Sequence, residues 1–360
     1  MKRIATIFLL FTLLLSACAQ VAQTQTPQAA GPIVVTDALG REVKLEKLPQ
    51  QIAVSGRASL MILDALYMFP EAKERVVAFE ALVQGGVNFI QLLDPQYPEK
   101  AFLKRDAGVE QFITAEPDLV LMKSSQAEKF GAPMEALNIP VVYLDFETPE
   151  QYPRDLAILG QIFGNDARAQ ELIQRYQGAV DEINQKVPAA AAKPNVLVLQ
   201  YSDKEGAVAF DVPPTSWMQT RMVELAGGSP VWKEANLGSG WAQVTIEQVA
   251  AWDPDVILII SYDQNPSDVT TMLKQDPQWQ LLRAVKDGKL YGFPKDIYSW
   301  DQPDTRWLLG LKWLASLLHP DEFGQVDALQ SAREFYQFAY GVDAASYDAI
   351  ILPVTQGDVD

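Results

Sequence analysis

The stretch "VEQFITAEPDLVLM" at residues 109–122 recurs as "IEQVAAWDPDVILI" at residues 246–259. Both copies contain Glu-Gln, then Pro-Asp with the proline seven positions after the glutamate, and both end in a continuous apolar run. Each copy predicts a short helix, a turn that the proline enforces, and a strand covered on both faces. Two copies of this unit at such a separation predict two similar α/β lobes.

The rest of each half alternates between strand and helix patterns, as a parallel sheet covered by helices requires. In the first half, strands are predicted at 51–54, 75–79, 119–122 and 141–144, with helices at 58–67 and 126–137. In the second half, strands are predicted at 196–200, 256–260 and 290–293, with helices around 216–226 and 305–318. The predicted lobes span residues 33–165 and 188–341, and a tail follows over 342–360.

A long helix is predicted between the two halves. Asn165 or Asp166 can cap its start, and apolar residues then recur at helical spacing, namely Leu172, Tyr176, Ala179, Ile183 and Val187. Over residues 166–187 such a helix is roughly 33 Å long at 1.5 Å per residue. One helix joining the lobes would act as a rigid spine rather than a flexible hinge.

Composition excludes several classes of site. The chain has 360 residues and a formal charge of −17, and a strongly acidic surface argues against nucleic acid and for a solvated protein outside the cytoplasm. The single cysteine excludes disulfides and thiolate metal sites, and the single histidine excludes zinc sites of the multi-histidine kind. That histidine, His319, precedes Pro320 at the end of a helical pattern, which favours a role as a helix cap.

The N-terminus "MKRIATIFLLFTLLLSAC" has the layout of a secretory signal: a charged start, a short apolar run and small residues before Cys18. The apolar run is too short to cross a bilayer, which takes ~20 residues. "LSAC" resembles the bacterial lipobox, which implies cleavage before Cys18 and lipidation of its sulfur. Cleavage would remove Lys2 and Arg3 and move the charge from −17 to −19. The alternative is an ordinary signal peptide whose cysteine is accidental.

Residues 19–32, "AQVAQTQTPQAAGP", carry no charge and almost no bulky side chain. This composition predicts a disordered tether between the anchor and the first lobe. Together with Cys18, these residues would hold an exported protein on a membrane; the sequence does not say which membrane.

Lipobox, doubled lobe and single spine together resemble the substrate-binding lipoproteins of ABC importers, in the class that carries iron–siderophore complexes, haem and cobalamin. Some members carry molybdate or tungstate. The resemblance covers about residues 33–341 and includes the hairpin "VVTDALGREVKL" at 34–45, "LAGG" at 225–228 and "SWDQPDTRWLLGLKWLASLLHP" at 299–320. It implies the class III periplasmic-binding-protein fold, with two Rossmann-like lobes joined by one long α-helix. It also implies a monomer without a cofactor, because any metal arrives with the ligand.

The resemblance also implies a partner, an ABC permease with its ATPase. In that family one exposed glutamate in each lobe forms salt bridges with arginines of the permease, and the repeat puts these glutamates at Glu110 and Glu247. The alternative is that an acid in the first turn of a helix only favours the helix dipole.

The ligand site is predicted at the carboxyl ends of the parallel strands, where the lobes face each other. The candidate ligand-binding residues lie in the loops after these strands. They are Ser55, Gly56, Arg57, Lys123 and Ser124 in the first lobe, and Tyr201, Trp241, Tyr262, Trp300 and Asp301 in the second. Two cations facing aromatic rings suit a large, partly anionic, planar or chelated ligand. A ferric siderophore fits best, and cobalamin, haem, molybdate and tungstate stay open.

Several of these residues have a structural alternative. Lys123 could be a solvated strand edge, and Trp300 could pack in the core under the helix that begins near Thr305. Arg306, in the same region, could tie its loop to the lobe.

Two other classes of protein compete with transport. The sequence has no G-x-S-x-G, H-E-x-x-H or P-loop motif, which leaves a hydrolase that uses two facing carboxylates as the enzymatic alternative. The other alternative is an interaction module without a small ligand. A closed apolar interface between the lobes would favour the module, and an open cleft lined by Trp and Arg would favour transport.

Overall fold

The computed structural model describes residues 31–56, 58–80, 88–104, 108–187, 192–204, 206–324 and 326–359. The predicted anchor at Cys18, most of the predicted tether, and Arg57 lie outside these residues. Within the described ranges, no helix is both long enough and apolar enough to cross a membrane.

Thirteen strands and fifteen α-helices are described. The strands are β1 (Ile33–Thr36), β2 (Glu42–Leu45), β3 (Ile52–Val54), β4 (Val76–Glu80), β5 (Ala101–Leu103), β6 (Leu119–Lys123), β7 (Val141–Leu144), β8 (Asn195–Lys204), β9 (Ala207–Val212), β10 (Ser229–Pro230), β11 (Ala242–Val244), β12 (Val256–Ile260) and β13 (Leu290–Gly292). The helices are α1 (Ser59–Leu66), α2 (Ala72–Arg75), α3 (Phe89–Leu93), α4 (Val109–Ala115), α5 (Ala132–Glu135), α6 (Gln151–Phe163), α7 (Asp166–Lys186), α8 (Met218–Leu225), α9 (Ile246–Trp252), α10 (Pro266–Gln275), α11 (Arg283–Lys286), α12 (Trp307–Leu318), α13 (Pro320–Phe323), α14 (Ala328–Tyr340) and α15 (Ala344–Ser346).

Eleven of the strands form two large sheets, one in each lobe, which confirms the two-lobed α/β prediction. Strands β1 and β2 form a separate two-stranded sheet. The first sheet has the order β5-β4-β3-β6-β7 and is parallel throughout. The second sheet has the order β11-β9-β8-β12-β13, and β10 also pairs with β8. Its strands β8, β10, β12 and β13 are parallel. Strands β9 and β11 extend that sheet in the antiparallel sense. The sequence did not predict this hairpin, because the polar end of β8 and the half-exposed β9 lack the continuous apolar run of a covered strand.

Most predicted elements lie where the sequence put them, and the exceptions have local causes. The hairpin at 34–45 is β1 and β2. The helix predicted at 126–137 is broken into a π-helical turn over Ala127–Gly131 and the short α5. Three helices of ten or more residues were not predicted, namely α6, α10 and α14; the short helices α2, α3, α11, α13 and α15 were not predicted either.

The two copies of the repeat fold alike. Each gives a seven-residue helix, α4 or α9, followed by a five-residue strand, β6 or β12. Each helix ends at an acidic residue in the left-handed conformation, Glu116 with φ 46° or Asp253 with φ 42°. The proline comes next and prevents the helix from continuing.

The aspartate of each Pro-Asp pair ties the repeat to the start of the neighbouring central strand. The Asp118 carboxylate accepts the backbone N–H of Gln51 at 2.9 Å, and the Asp255 carboxylate accepts that of Asn195 at 2.8 Å. The two copies of the repeat therefore share this hydrogen bond as well as their order of helix and strand.

The predicted spine is α7, and the Asn165 side chain caps it by accepting the backbone N–H of Arg168 at 3.1 Å. The spine also forms part of a buried waist between the lobes. The Tyr176 hydroxyl donates to the carbonyl of Thr305 at 2.7 Å, and its ring stacks on Trp307 with centroids 5.3 Å apart. The lobes are joined by packed side chains as well as by the helix.

Arg306 has the structural role that the sequence offered as an alternative. Its side chain is fully buried, and its Nη1 lies 2.7 Å from Asp64 of the first lobe. Its Nε lies 3.1 Å from Asp296 of the second lobe. Burial raises the pKa of the adjacent Asp304 to about 8, while the Arg306 charge acts in the opposite direction. The cluster forms an ionic link between the lobes inside the waist.

The chain after α14 packs against the second lobe. Asp358 accepts the backbone N–H of Gly292 in β13 at 2.9 Å and the Ser267 hydroxyl in α10 at 2.7 Å. His319 is the C-terminal cap of α12, as predicted, and its Nε2 lies 3.0 Å from the carbonyl of Ala226.

Candidate functional site

A cleft of about 800 Å³ opens between the two lobes at the carboxyl ends of their strands. Residues of both lobes line it, mostly hydroxyl, amide, thioether and aromatic side chains. They are Ala58, Met61, Lys123, Ser124, Ser125, Gln126, Asp145, Glu147, Thr148 and Gln151 from the first lobe, and Ser216, Trp217, Met218, Gln219, Ser239, Trp241, Tyr262, Gln302 and Pro303 from the second.

The first-lobe wall carries charges that are already paired. Lys123 ends β6 with its side chain 3% exposed, and its Nζ lies 2.8 Å from Glu147. The same ammonium donates to the carbonyl of Asp145. The Asp145 carboxylate accepts the Ser124 hydroxyl and lies 2.7 Å from Arg154. The positive charge of Lys123 is therefore largely neutralised within the wall.

Ser55 and Gly56 hold the loop after β3 but are not among the lining residues. The buried Glu80 carboxylate accepts the Ser55 hydroxyl at 3.0 Å and the Gly56 backbone N–H at 3.1 Å. Gly56 has φ 96°, a conformation that favours glycine. Arg57, which the sequence placed next in this loop as a ligand-binding cation, lies outside the described residues.

The second-lobe wall is aromatic. Trp217 precedes α8 and Trp241 precedes β11, and their rings meet edge to face with centroids 5.5 Å apart. Both indoles line the cleft, as does Tyr262 after β12. Half-buried aromatic rings in a cleft offer flat apolar surface to a ligand.

A buried carboxylate lies behind this wall. Asp301 is completely buried, and its Oδ2 accepts the Gln219 amide at 2.7 Å and the Tyr262 hydroxyl at 2.9 Å. Burial raises the pKa of Asp301, while hydrogen bonds from its neighbours act in the opposite direction. Burial and the nearby Asp301 charge raise the pKa of Tyr262 well above its usual value, so the phenol keeps its proton.

Two predicted ligand residues lie away from the cleft. Trp300 is 1% exposed, and its indole N–H donates to Asp296 at 2.9 Å. This corrects its assignment as a ligand residue in favour of the core alternative. Tyr201 is also buried, where its ring packs on Phe210 with centroids 5.7 Å apart. Both residues were predicted to bind the ligand because they follow predicted strands, but their side chains are buried in the second lobe.

The family model for periplasmic binding proteins matches residues 52–297, which cover both sheets and the spine. The chain belongs to the periplasmic binding protein family. The match includes both copies of the repeat that the sequence analysis began from, and most of the residues that line the cleft.

Relatives with named ligands extend the comparison within this family. The molybdate-binding protein MolA of Haemophilus influenzae is 26% identical over 338 residues, covering 88% of this chain and 90% of the relative. The iron-uptake system-binding protein of Bacillus subtilis is 21% identical over 232 residues, covering 61% and 71%. A periplasmic solute binding protein from Veillonella parvula has a similar solved structure, with a TM-score of 0.71 and 24% identity over 90% of this chain and 98% of that one. The class III fold is thereby established.

Glu110 and Glu247 occupy matching places in the two lobes of this periplasmic binding protein. Each is exposed and stands in the first turn of its helix, α4 or α9. A hydrogen bond from Thr245 lowers the pKa of Glu247, so that carboxylate is charged at neutral pH.

Sequence reasoning missed part of the second-lobe wall. Trp217, Met218 and Gln219 lie at the start of α8, and the helix itself was predicted around 216–226. The start of a helix that follows a strand points toward the ligand edge of an α/β sheet. That rule would have nominated "SWMQ" at 216–219 from the sequence.

Proposed function

We propose that this protein is the extracytoplasmic substrate-binding component of an ABC importer, acting as a monomer that captures a small ligand between its lobes and passes it to a permease. The observation that carries the proposal is the open cleft of about 800 Å³, walled by Trp217 and Trp241 on one side and by polar groups on the other. Clefts of this size and composition are typical of small-molecule sites. An open cleft lined by half-buried indoles also favours transport over an interaction module whose lobes close on each other.

The ligand we propose is a metal chelate, with a ferric siderophore as the first candidate. The cleft is far larger than a tetrahedral oxyanion requires, and its edge-to-face indoles offer a surface that such an ion would not use. The hydroxyl and amide groups around the indoles suit the polar periphery of a chelate. The similarity to an iron-uptake binding protein supports this choice. Cobalamin and haem are alternatives of the same general shape.

Molybdate is a second candidate, because the molybdate-binding relative matches nearly the whole chain. Ser124, Ser125 and Ser216 line the cleft and can donate hydrogen bonds to an oxyanion. A site of this kind would use a small part of the cleft, near the helix starts.

Native mass spectrometry of the mature protein separates these candidates. The protein is incubated with a ferric trihydroxamate, haem, cobalamin and molybdate at equal concentrations. We expect one ligand per chain and a mass increase equal to that of the ferric chelate. A complex with molybdate alone would replace the chelate proposal, and the absence of any complex would overturn the proposal of a substrate-binding protein.

We propose that Glu110 and Glu247 dock on the permease. They lie at equivalent exposed positions of two lobes joined by a packed waist, so one rigid body would offer both contacts at once. Glu110→Ala with Glu247→Ala should abolish uptake and leave ligand affinity and melting temperature nearly unchanged. Normal uptake by the double variant would leave the helix-dipole explanation sufficient.

We propose that the mature protein is held on the membrane through lipid on Cys18. Two acyl chains bind a membrane firmly where one binds only marginally. Cys18→Ser should release the protein into the soluble fraction, and globomycin, which inhibits lipoprotein signal peptidase, should leave an uncleaved precursor. A serine variant that stays bound after a salt wash would overturn the anchor.

The carboxylate-based hydrolase has no support in the cleft as described. Its two lining carboxylates, Asp145 and Glu147, come from one segment of the first lobe and are each paired with a cation. Among the described lining residues, no second acid faces them from the other lobe.

A further inference from the structure

Lys295 holds the loop that follows β12 through the backbone of that loop. Its ammonium donates to the carbonyls of Ser261 at 3.2 Å, Tyr262 at 3.1 Å and Gln264 at 2.9 Å. An ammonium has three donors, so this side chain commits all of them to one turn of the chain. Hydrogen bonds from a charged donor are stronger than neutral ones, and the backbone is therefore fixed at the point where Tyr262 lines the cleft.

The segment that carries Lys295 also holds the other end of Tyr262. Lys295 and Ser299 form an antiparallel β-bridge, so the chain after β13 turns back on itself. We call residues 295–301 the clamp. Its last residue, Asp301, accepts the Tyr262 hydroxyl at 2.9 Å, so the clamp holds both the backbone and the hydroxyl of this residue.

The C-terminal tail fastens the clamp to the second lobe. Gln356 and Lys295 exchange two backbone hydrogen bonds, at 2.7 and 2.9 Å, and the Asp358 carboxylate accepts a backbone N–H of β13 at 2.9 Å. Gly357, which lies between these two tail residues, has φ 90°, and a side chain there would meet the carbonyl oxygen of Phe293 at 2.7 Å. Glycine permits this close approach. The tail begins after the end of the family match, so its contacts with the clamp add to what the family comparison covers.

A loop held in this way is ordered before the ligand arrives. Ordering the backbone of one residue during binding would weaken affinity by about tenfold, and a loop that is ordered during folding avoids that loss. We infer that Lys295 is a positioning residue which, together with the C-terminal tail, presents the Tyr262 ring to the ligand. The inference rests on the proposed function, that this cleft binds a ferric chelate.

The test compares Lys295→Met with Lys289→Met, a matched control that removes an exposed lysine just before β13. Hydrogen exchange of the empty protein is measured by mass spectrometry on peptides that cover residues 261–265. We expect exchange about tenfold faster in Lys295→Met and unchanged in Lys289→Met, because only the first variant releases the loop. In a tryptophan-fluorescence titration with a linear ferric trihydroxamate, Lys295→Met should bind about tenfold more weakly and Lys289→Met within about twofold of the unaltered protein.

A double-mutant cycle separates positioning from a general loss of structure. If Lys295 acts through the Tyr262 ring, then adding Lys295→Met to Tyr262→Ala should cost no more than about twofold in affinity. A further tenfold loss would overturn the inference, as would unchanged exchange or unchanged affinity in Lys295→Met alone. In each of these cases the unaltered protein still binds the chelate, so the proposed function stands. An unaltered protein that does not bind the chelate would overturn the proposed function and this inference together.

A variant of the tail tests its part and carries the test if Lys295→Met does not fold. Asp358→Ala loosens the tail without touching the loop, and it should speed exchange at residues 261–265 by about threefold. Its matched control is Asp348→Ala, which removes a half-exposed acid of the tail that pairs with Arg333 and should leave this exchange unchanged. Unchanged exchange in Asp358→Ala would overturn the role of the tail.

Discussion

The two lobes contain the same helix–turn–strand unit, but the residues at the end of its strand differ in chemical type. In the first lobe, α4 and β6 lead to Lys123, whose charge is paired with Glu147 at 2.8 Å. In the second lobe, α9 and β12 lead to Tyr262, whose hydroxyl is bound by the buried Asp301 at 2.9 Å. The helix–turn–strand repeat, which we call the frame, is common to both lobes. The side chains at the carboxyl end of its strand differ, so one wall of the cleft is ionic and the other is aromatic.

This difference separates the residues that hold the frame from those that meet the ligand. Asp118 and Asp255 repeat because each fastens its own repeat to the start of a central strand. The residues just past β6 and β12 do not repeat, because each faces a different side of the cleft. A change in the frame should therefore alter stability, and a change at the edge should alter binding.

The largest expected effect comes from breaking the link between the lobes. Asp64→Ala leaves the fully buried Arg306 without its first-lobe partner. We expect the free energy of unfolding to fall by about 3–5 kcal/mol, as for other buried ion pairs that lose one member. Urea denaturation measures it.

The matched control for Asp64→Ala is Arg221→Ala. Arg221 of the second lobe pairs with Glu150 of the first at 2.5 Å, but the two side chains are 38% and 53% exposed. Arg221→Ala removes this pair and the pair with Glu224 in the same helix at 2.6 Å, and it should cost about 1 kcal/mol or less because both pairs are solvated. Similar small losses for both variants would mean that the buried cluster does not hold the lobes together.

The next effect is a difference in ligand affinity between variants of the two walls. Trp241→Ala removes an indole from the cleft and should weaken chelate binding about tenfold, or ~1.4 kcal/mol, with little loss of stability. Lys123→Met keeps the buried stem and removes a charge that is already paired, so we expect a stability loss of about 1 kcal/mol and an affinity change within about threefold. Calorimetric titration and thermal denaturation of the two variants give both quantities. A larger binding loss for Lys123→Met than for Trp241→Ala would reverse the roles of the walls.

The smallest effect tests the equivalence of the two repeats. Asp118→Asn and Asp255→Asn each weaken charge-assisted hydrogen bonds at the start of a central strand. Asp118 accepts the backbone N–H groups of Gln50 and Gln51, and Asp255 accepts that of Asn195. We expect each to cost about 1 kcal/mol, and the two losses to agree within about 0.5 kcal/mol even though Asp255 also pairs with the exposed Arg283. A loss in one lobe only would show that the repeats share a shape but not their energetics.

Sequence patterns predicted the frame well, because apolar runs, prolines and caps are local signals. The doubled unit and the spine follow from residues a few positions apart, whereas the β1–β2 hairpin was implied by the family resemblance. The patterns did not predict side-chain positions that depend on partners distant in the sequence. Trp300 follows a strand-end pattern like that of Tyr262, but Asp296 and the packing against α12 draw it into the core. The direction of Tyr262 and Gln219 depends on Asp301, 39 and 82 residues away, which no local pattern encodes.

The central claim is that a ferric chelate binds between the two walls. The most direct measurement is an anomalous-difference map, collected at the iron absorption edge from crystals of the protein with a bound ferric trihydroxamate. The account predicts one strong peak inside the cleft, bounded by Trp217 and Trp241 on one side and by Thr148 and Gln151 on the other. An empty cleft with the peak elsewhere, such as the groove beside Glu150 and Val180 behind the waist, would contradict it.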